Sequence, residues 1–254
     1  MDLAAQKHFM DRLSAAELRT EPFPHFYCEQ VFEPAFYQRL LQALPPDADY
    51  EMMAPPYESR LHIELTPTSA AKIGAFWTQF EAWLHSQSLM DAMTGKFAGR
   101  LADMGAFRAE QIRSNLCDDG ALKVHGRSML ARDFANYAIG PHTDSPAKFV
   151  VGIFYLSKDD RMQRFGTSIY RPKDDADRGW RTAHLPSEGF ELVQTFPNRP
   201  NSLFCFMKTD NSFHGVEAGD YPDGGRDVLF WLPEIGGRHR SRPLSLPRAM
   251  FDAP

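Results

Sequence analysis

His142-Thr143-Asp144 sets an imidazole and a carboxylate two residues apart. In extended backbone, such residues project from one face, so both side chains can converge on a single metal ion. Pro141, just before the pair, removes a ladder donor and favours a strand end or edge, where a site opens to solvent. A third ligand is available at His214, which follows an apolar run (201–207) and a polar turn and precedes Gly215. Two histidines and one carboxylate form a facial set that favours iron(II) and leaves coordination positions open. A bidentate cosubstrate and dioxygen need those positions if they are to share the metal. Arg226 lies twelve residues after His214, across the turn Pro222-Asp223-Gly224-Gly225, and opens the strand-like run 228–232. Hairpin geometry is expected to bring the start of that run alongside the strand ending near His214. There a planar guanidinium would grip a carboxylate at two points, which lysine would not.

Each feature alone is weak, because the chain has nine histidines and short motifs recur by chance. His142 read singly is a loop cap, His214 a turn residue and Arg226 a surface charge beside Asp227. Their order within one β-rich half carries the reading. The other seven histidines (His8, His25, His62, His85, His125, His184 and His239) show no carboxylate at useful spacing.

The elements that must position these residues divide the chain in two. The first part is read as mostly helical. Glu33-Pro34 opens a helix with Phe36, Leu40, Leu41 and Leu44 at helical spacing, and Pro45-Pro46 ends it. A second helix is expected over about 70–94, with Phe76, Trp77, Phe80 and Trp83 on a packing stripe. Residues 60–65 alternate loosely, as a strand does. After about residue 112 come short runs rich in β-branched and aromatic residues: 127–139, 148–156, 167–171, 190–196, 202–207 and 227–232. Turn residues separate them, the pattern of a sandwich or barrel. The expectation is one domain over 1–254: helical support over about 1–111, a β core over about 112–235, and a tail over 236–254 that is loosely held or covers an edge. Loops 157–166 and 172–189 are the first choices for a substrate lid, and Lys148 and Arg171 are candidates to face the mouth.

A net charge of −5 and a pI near 6.0 argue against a general nucleic-acid binder. No apolar run is long enough for a transmembrane helix, and the N-terminus lacks the apolar segment of a secretory signal. Cys28, Cys117 and Cys205 are far apart and form no C-x-x-C, so they read as reduced thiols of a cytoplasmic protein.

His-x-Asp, a histidine 70 residues after the Asp and an arginine twelve further on resemble the 2-oxoglutarate- and iron(II)-dependent oxygenases. The likeness is strongest over about 128–235. The opening Pro22-Phe23-Pro24-His25-Phe26 is similar to the N-terminal segment of many bacterial members. The resemblance implies a mainly β chain with N-terminal helices and a double-stranded β-helix (jelly-roll, cupin-like) core. It implies His142, Asp144 and His214 as iron ligands and Arg226 on the distal carboxylate of 2-oxoglutarate. Tyr137 matches a position where many members place a tyrosine near that carboxylate, and Thr167 falls where a cosubstrate-lining strand is expected. Many relatives carry Ser or Thr two residues after the arginine; here it is Val228, so Tyr137 or Thr167 is expected to supply the second anchor. Because Asp144 is present, hydroxylation or a related oxidation is favoured over halogenation, whose enzymes replace that ligand by a small residue.

The implied reaction consumes 2-oxoglutarate and O2 and releases succinate and CO2, with ascorbate supportive in vitro. The implied partner is a small-molecule substrate, with neither nucleic acid nor membrane. Rival readings are an iron-dependent oxidoreductase or isomerase that does not use 2-oxoglutarate, a non-catalytic metal- or ligand-binding protein, and a zinc hydrolase, for which no general base stands beside the triad. Oligomeric state and the substrate's identity are not legible.

Overall fold

The computed structural model describes residues 1–100, 122–134, 137–174, 184–222 and 225–236, and the backbone of 243–246. Cys117, His239 and residues 175–183 of the second lid candidate lie outside the described residues. In chain order the elements are α1 (Leu3–Ala15), β1 (His25–Glu29), α2 (Pro34–Gln42), β2 (Glu51–Met52), β3 (Arg60–Glu64), α3 (Pro67–Ile73), α4 (Ala75–Leu84) and α5 (Gln87–Gly95). Then follow β4 (Leu122–His125), β5 (Ser128–Asp133), β6 (Ile139–His142), β7 (Val150–Tyr155), β8 (Thr167–Pro172), β9 (Phe190–Phe196) and β10 (Ser202–Met207). Four more strands follow among the described residues: β11 (His214–Val216), β12 (Arg226–Trp231), β13 (Glu234–Ile235) and β14 (Pro243–Leu246).

Local chemistry explains the helix ends. α2 begins at Pro34, and the Glu33 carboxylate accepts from the Phe36 amide, an N-cap with proline in the first turn. The expected helix over 70–94 is three helices instead. Gly74 sits at φ +126, a conformation that L side chains avoid, and separates α3 from α4. Ser86 then caps α5 by accepting from the Leu89 amide. The aromatic stripe packs as its spacing predicts, with Trp77, Phe80 and Trp83 buried.

Strands pair antiparallel in two main sheets. Seven run in the order β1-β10-β7-β12-β5-β3-β2 and four in the order β6-β11-β8-β9; β13-β4-β14 form a small third sheet. The first 111 residues therefore supply β1, β2 and β3 to the large sheet as well as helices. The run 127–139 is split into β5 and β6, which belong to different sheets. In the tail, β14 pairs with β4.

Strand parity decides what faces what. Leu130, Phe154, Leu203, Cys205, Leu229 and Trp231 pack with the helices in one core. Their alternates Met129, Ala131, Ile153, Phe204, Phe206 and Val228 pack with Ile169 and Phe196 of the four-stranded sheet in a second. The helices therefore cover one face of the large sheet, and the small sheet covers the other. Every residue in step with Val228, Ala131 or Ile153 points between the sheets, which places Arg226, Asp133 and Tyr155 there. Arg60 pairs directly with Asp133 and joins them.

Candidate metal centre and active site

His142 is the last residue of β6, an edge strand of the four-stranded sheet, as Pro141 foretold. Asp144 lies just beyond the strand end, and His214 opens β11, directly opposite His142 in the β6–β11 ladder. One ligand atom from each of the three residues lies within 4.8 Å of the others. The imidazole rings are 4.3 Å apart between centroids, and the Asp144 Oδ2 is 3.4 Å from His214 Nε2.

The donor set suits a divalent metal. His142 Nδ1 donates to the Gly140 carbonyl and His214 Nδ1 to the Ser212 carbonyl, each at 3.0 Å. A carbonyl only accepts, so each Nδ1 carries the proton and each Nε2 keeps its lone pair. Burial pushes the His142 pKa down to about 3, with a further push from His214 and a pull back from Asp144. Burial also lowers that of His214. Burial opposes ionisation of Asp144, but Lys148, His214 and His142 outweigh it and hold the carboxyl well below its usual range. Two neutral imidazoles and one carboxylate are what iron(II) and zinc both accept. Lys148 Nζ donates to Asp144 Oδ1 at 2.6 Å, leaving Oδ2 on the histidine side.

These ligands line a cavity of about 220 Å³. Arg226 reaches it from the opposite sheet, which corrects the hairpin expectation. β12 runs between β7 and β5, whereas β11 pairs with β6 and β8. Nor is the guanidinium free: its Nε donates to the Phe165 carbonyl at 2.7 Å and its Nη1 to Asp133 Oδ2 at 2.6 Å. Thr167 lines the cavity and accepts from the Tyr155 hydroxyl at 2.8 Å. The Arg226 guanidinium carbon stands 5.7 Å from the centroid of the Tyr155 ring. Tyr137 backs the site: its ring lies 4.2 Å under the guanidinium of Arg60. Its buried hydroxyl has no hydrogen-bond partner among the described residues.

Arg60, Asp133 and Tyr155 are functional candidates that sequence reasoning missed. Arg60 lines the cavity and binds Asp133 through Nε at 2.5 Å and Nη2 at 3.0 Å. Of the two proposed mouth residues, Lys148 lines the cavity. Arg171 is exposed and pairs with Glu191. From the second lid candidate, His184 stands 5.4 Å from the His142 ring and 3.2 Å from the Tyr57 hydroxyl. His85, expected to lack a carboxylate, pairs with Glu81 one turn earlier at 2.8 Å.

Gly215 keeps the two histidine strands together. A Cβ there would lie 2.4 Å from the Ile139 carbonyl of β6. Gly215→Ala is expected to push β11 off β6 and lower manganese(II) affinity about 10- to 100-fold, the range for changes that disturb how ligands are held. Titration calorimetry at constant pH checks this.

No family model matches the chain, and no curated protein matches it. Among solved structures, it is similar to a prolyl hydroxylase from Trichoplax adhaerens in complex with a hypoxia inducible factor peptide fragment. That match has a TM-score of 0.51 and 10% identity, and it covers 90% of this chain and 88% of that one. The fold is a double-stranded β-helix. Two further matches are a prolyl-4-hydroxylase from Pseudomonas putida (TM-score 0.47, 14% identity, 90% and 98% covered) and the epimerase SnoN with Fe3+, alpha ketoglutarate and nogalamycin RO (TM-score 0.48, 12% identity, 97% and 98% covered). In this double-stranded β-helix the candidate metal ligands belong to the small sheet and the arginines to the large one, facing each other across the cavity. No helix among the described residues is long and apolar enough to cross a membrane.

Proposed function

We propose that this protein is an iron(II)- and 2-oxoglutarate-dependent oxygenase that hydroxylates a small molecule. One observation carries the reading. Two imidazoles with Nδ1 committed to backbone carbonyls and an ionised carboxylate converge on one wall of a cavity. The opposite wall presents a buried arginine. A 2-oxo diacid needs both: a metal for its 2-oxo carboxylate end and a guanidinium for its distal carboxylate.

In this reading His142, Asp144 and His214 hold iron, and Arg226 receives the distal carboxylate beside Thr167 and Tyr155. Bound iron(II) supplies oxygen activation coupled to oxidative decarboxylation of the 2-oxo acid. The residues around it hold geometry and exclude water. Ile139, Val151, Ile153 and Leu232 give the cavity its apolar wall, and Lys148 keeps Asp144 oriented with Oδ2 toward His214.

The test is succinate release from purified protein given iron(II), ascorbate, O2 and 2-oxoglutarate, with wild type beside His142→Ala. Slow release without added substrate, lost in the variant, is expected. If wild type releases no succinate and binds no 2-oxoglutarate when iron-loaded without oxygen, the reading fails.

A further inference from the structure

Arg60 and Arg226 face the same buried carboxylate. β5 lies between β12 and β3, and Asp133 is the register partner of both arginines. Its Oδ2 accepts from Arg226 Nη1 at 2.6 Å and from Arg60 Nη2 at 3.0 Å. The two guanidiniums are therefore neighbours bridged by one oxygen. Relative exposures are 6% for Arg60, 0% for Asp133 and 1% for Arg226. Two cations and one anion so deeply covered leave one positive charge unbalanced, which is costly away from water. One further carboxylate neutralises the set; two would overshoot.

Hydrogen-bond inventory points the same way. Arg60 spends Nε and Nη2 on Asp133, and its Nη1 makes no hydrogen bond among the described residues. Arg60 is also fixed in place, with its guanidinium carbon 4.2 Å from the Tyr137 ring centroid and 5.0 Å from that of Phe230. It lines the same cavity as Arg226 and the metal ligands. Such a clamped fork is pre-organised to accept a planar carboxylate.

We infer that the distal carboxylate of the cosubstrate sits between two arginines. Arg60, from an N-terminal strand outside the metal-binding motif, is the second binding residue, and Asp133 is the positioning residue that spaces the pair. This rests on the oxygenase reading above, and it assigns Arg60 to the cosubstrate rather than to the molecule being oxidised.

The test is calorimetric binding of 2-oxoglutarate and of 2-oxobutyrate, which lacks the distal carboxylate, to manganese(II)-loaded protein without oxygen. Wild type, Arg60→Met, Arg60→Lys and Arg226→Met are compared. Wild type is expected to prefer 2-oxoglutarate. Arg60→Met is expected to lose about 10- to 100-fold in 2-oxoglutarate affinity, the worth of a charged hydrogen-bonding group, with 2-oxobutyrate affinity unchanged. Should Arg60→Met not fold, Arg60→Lys keeps the charge opposite Asp133 but not the fork, and a smaller loss confined to 2-oxoglutarate is expected. Unchanged 2-oxoglutarate affinity in a folded Arg60 variant, with a loss in Arg226→Met, overturns the inference and leaves the oxygenase reading standing. An equal loss for both acids also overturns it, because Arg60 would then be shaping the pocket rather than meeting the distal carboxylate. Absence of any preference in wild type removes the oxygenase reading itself.

Discussion

Asp144→Ala is expected to lower divalent-metal affinity about 100-fold or more, beyond the range seen when only the groups around metal ligands are altered. The carboxylate is the one anion of the candidate set, and what remains are two neutral imidazoles. Lys148, now 2.6 Å from Asp144 Oδ1, would lose its counter-charge while remaining beside the site. The variant thus removes an attraction and leaves a repulsion. Asp144→Asn separates the two effects, since it keeps an oxygen toward His214 but no charge. It should fall between wild type and alanine. Electron paramagnetic resonance of free manganese(II) reads the affinities directly, and circular dichroism shows whether the fold survives. Wild-type affinity in Asp144→Ala would mean that the metal, if bound, lies elsewhere.

Asp133→Ala should be the most destabilising single change in the site. It strips the counter-ion from two guanidiniums that water barely reaches. Breaking a buried ion pair by removing one partner costs about 3–5 kcal/mol, because the remaining charge stays buried and unpaired. For a chain of this size that is a fall in melting temperature of roughly 10 °C. Arg60→Met combined with Asp133→Asn removes both charges of one pair but still leaves Arg226 buried without its counter-ion, so it should recover only part of the loss. Urea unfolding of the single and double variants measures both. Equal stability of Asp133→Ala and wild type would show that the arginines reach solvent by rearranging.

The convergence of the three candidate metal ligands was legible in the sequence because their geometry is local or nearly so. His142 and Asp144 are two residues apart, and His214 follows an apolar strand and a turn. Strand runs such as 190–196 and 202–207 were equally plain, because turn residues bracket them. Arg60 and Asp133 were not legible. Nothing in 60–64 or 128–133 taken alone says that the two strands are neighbours with Arg60 opposite Asp133. Sheet order is a long-range property, and only once β3, β5 and β12 are placed side by side does parity bring the three charges into one row. The hairpin expectation for Arg226 failed for the same reason. β11 spans three residues and is held by β6 and β8, so the chain leaves that sheet and β12 enters the other. The break at Gly74 was readable in hindsight, since glycine followed by a fresh apolar period marks a helix end.

The two walls of the cavity have a consequence for which 2-oxo acids fit. The candidate metal ligands hang on one sheet and the guanidiniums on the other, and the sheets are locked by the aromatic core that includes Phe196 stacked on Phe204 at 4.4 Å. On the proposed function, a diacid grasped at both ends would act as a strut of fixed length. Oxaloacetate, one methylene shorter, and 2-oxoadipate, one longer, are then expected to bind more weakly than 2-oxoglutarate, which competition calorimetry checks. The spacing between the sheets would then serve as a molecular ruler, so changes to the side chains that keep the sheets apart are expected to retune chain-length preference without touching a residue that contacts the acid.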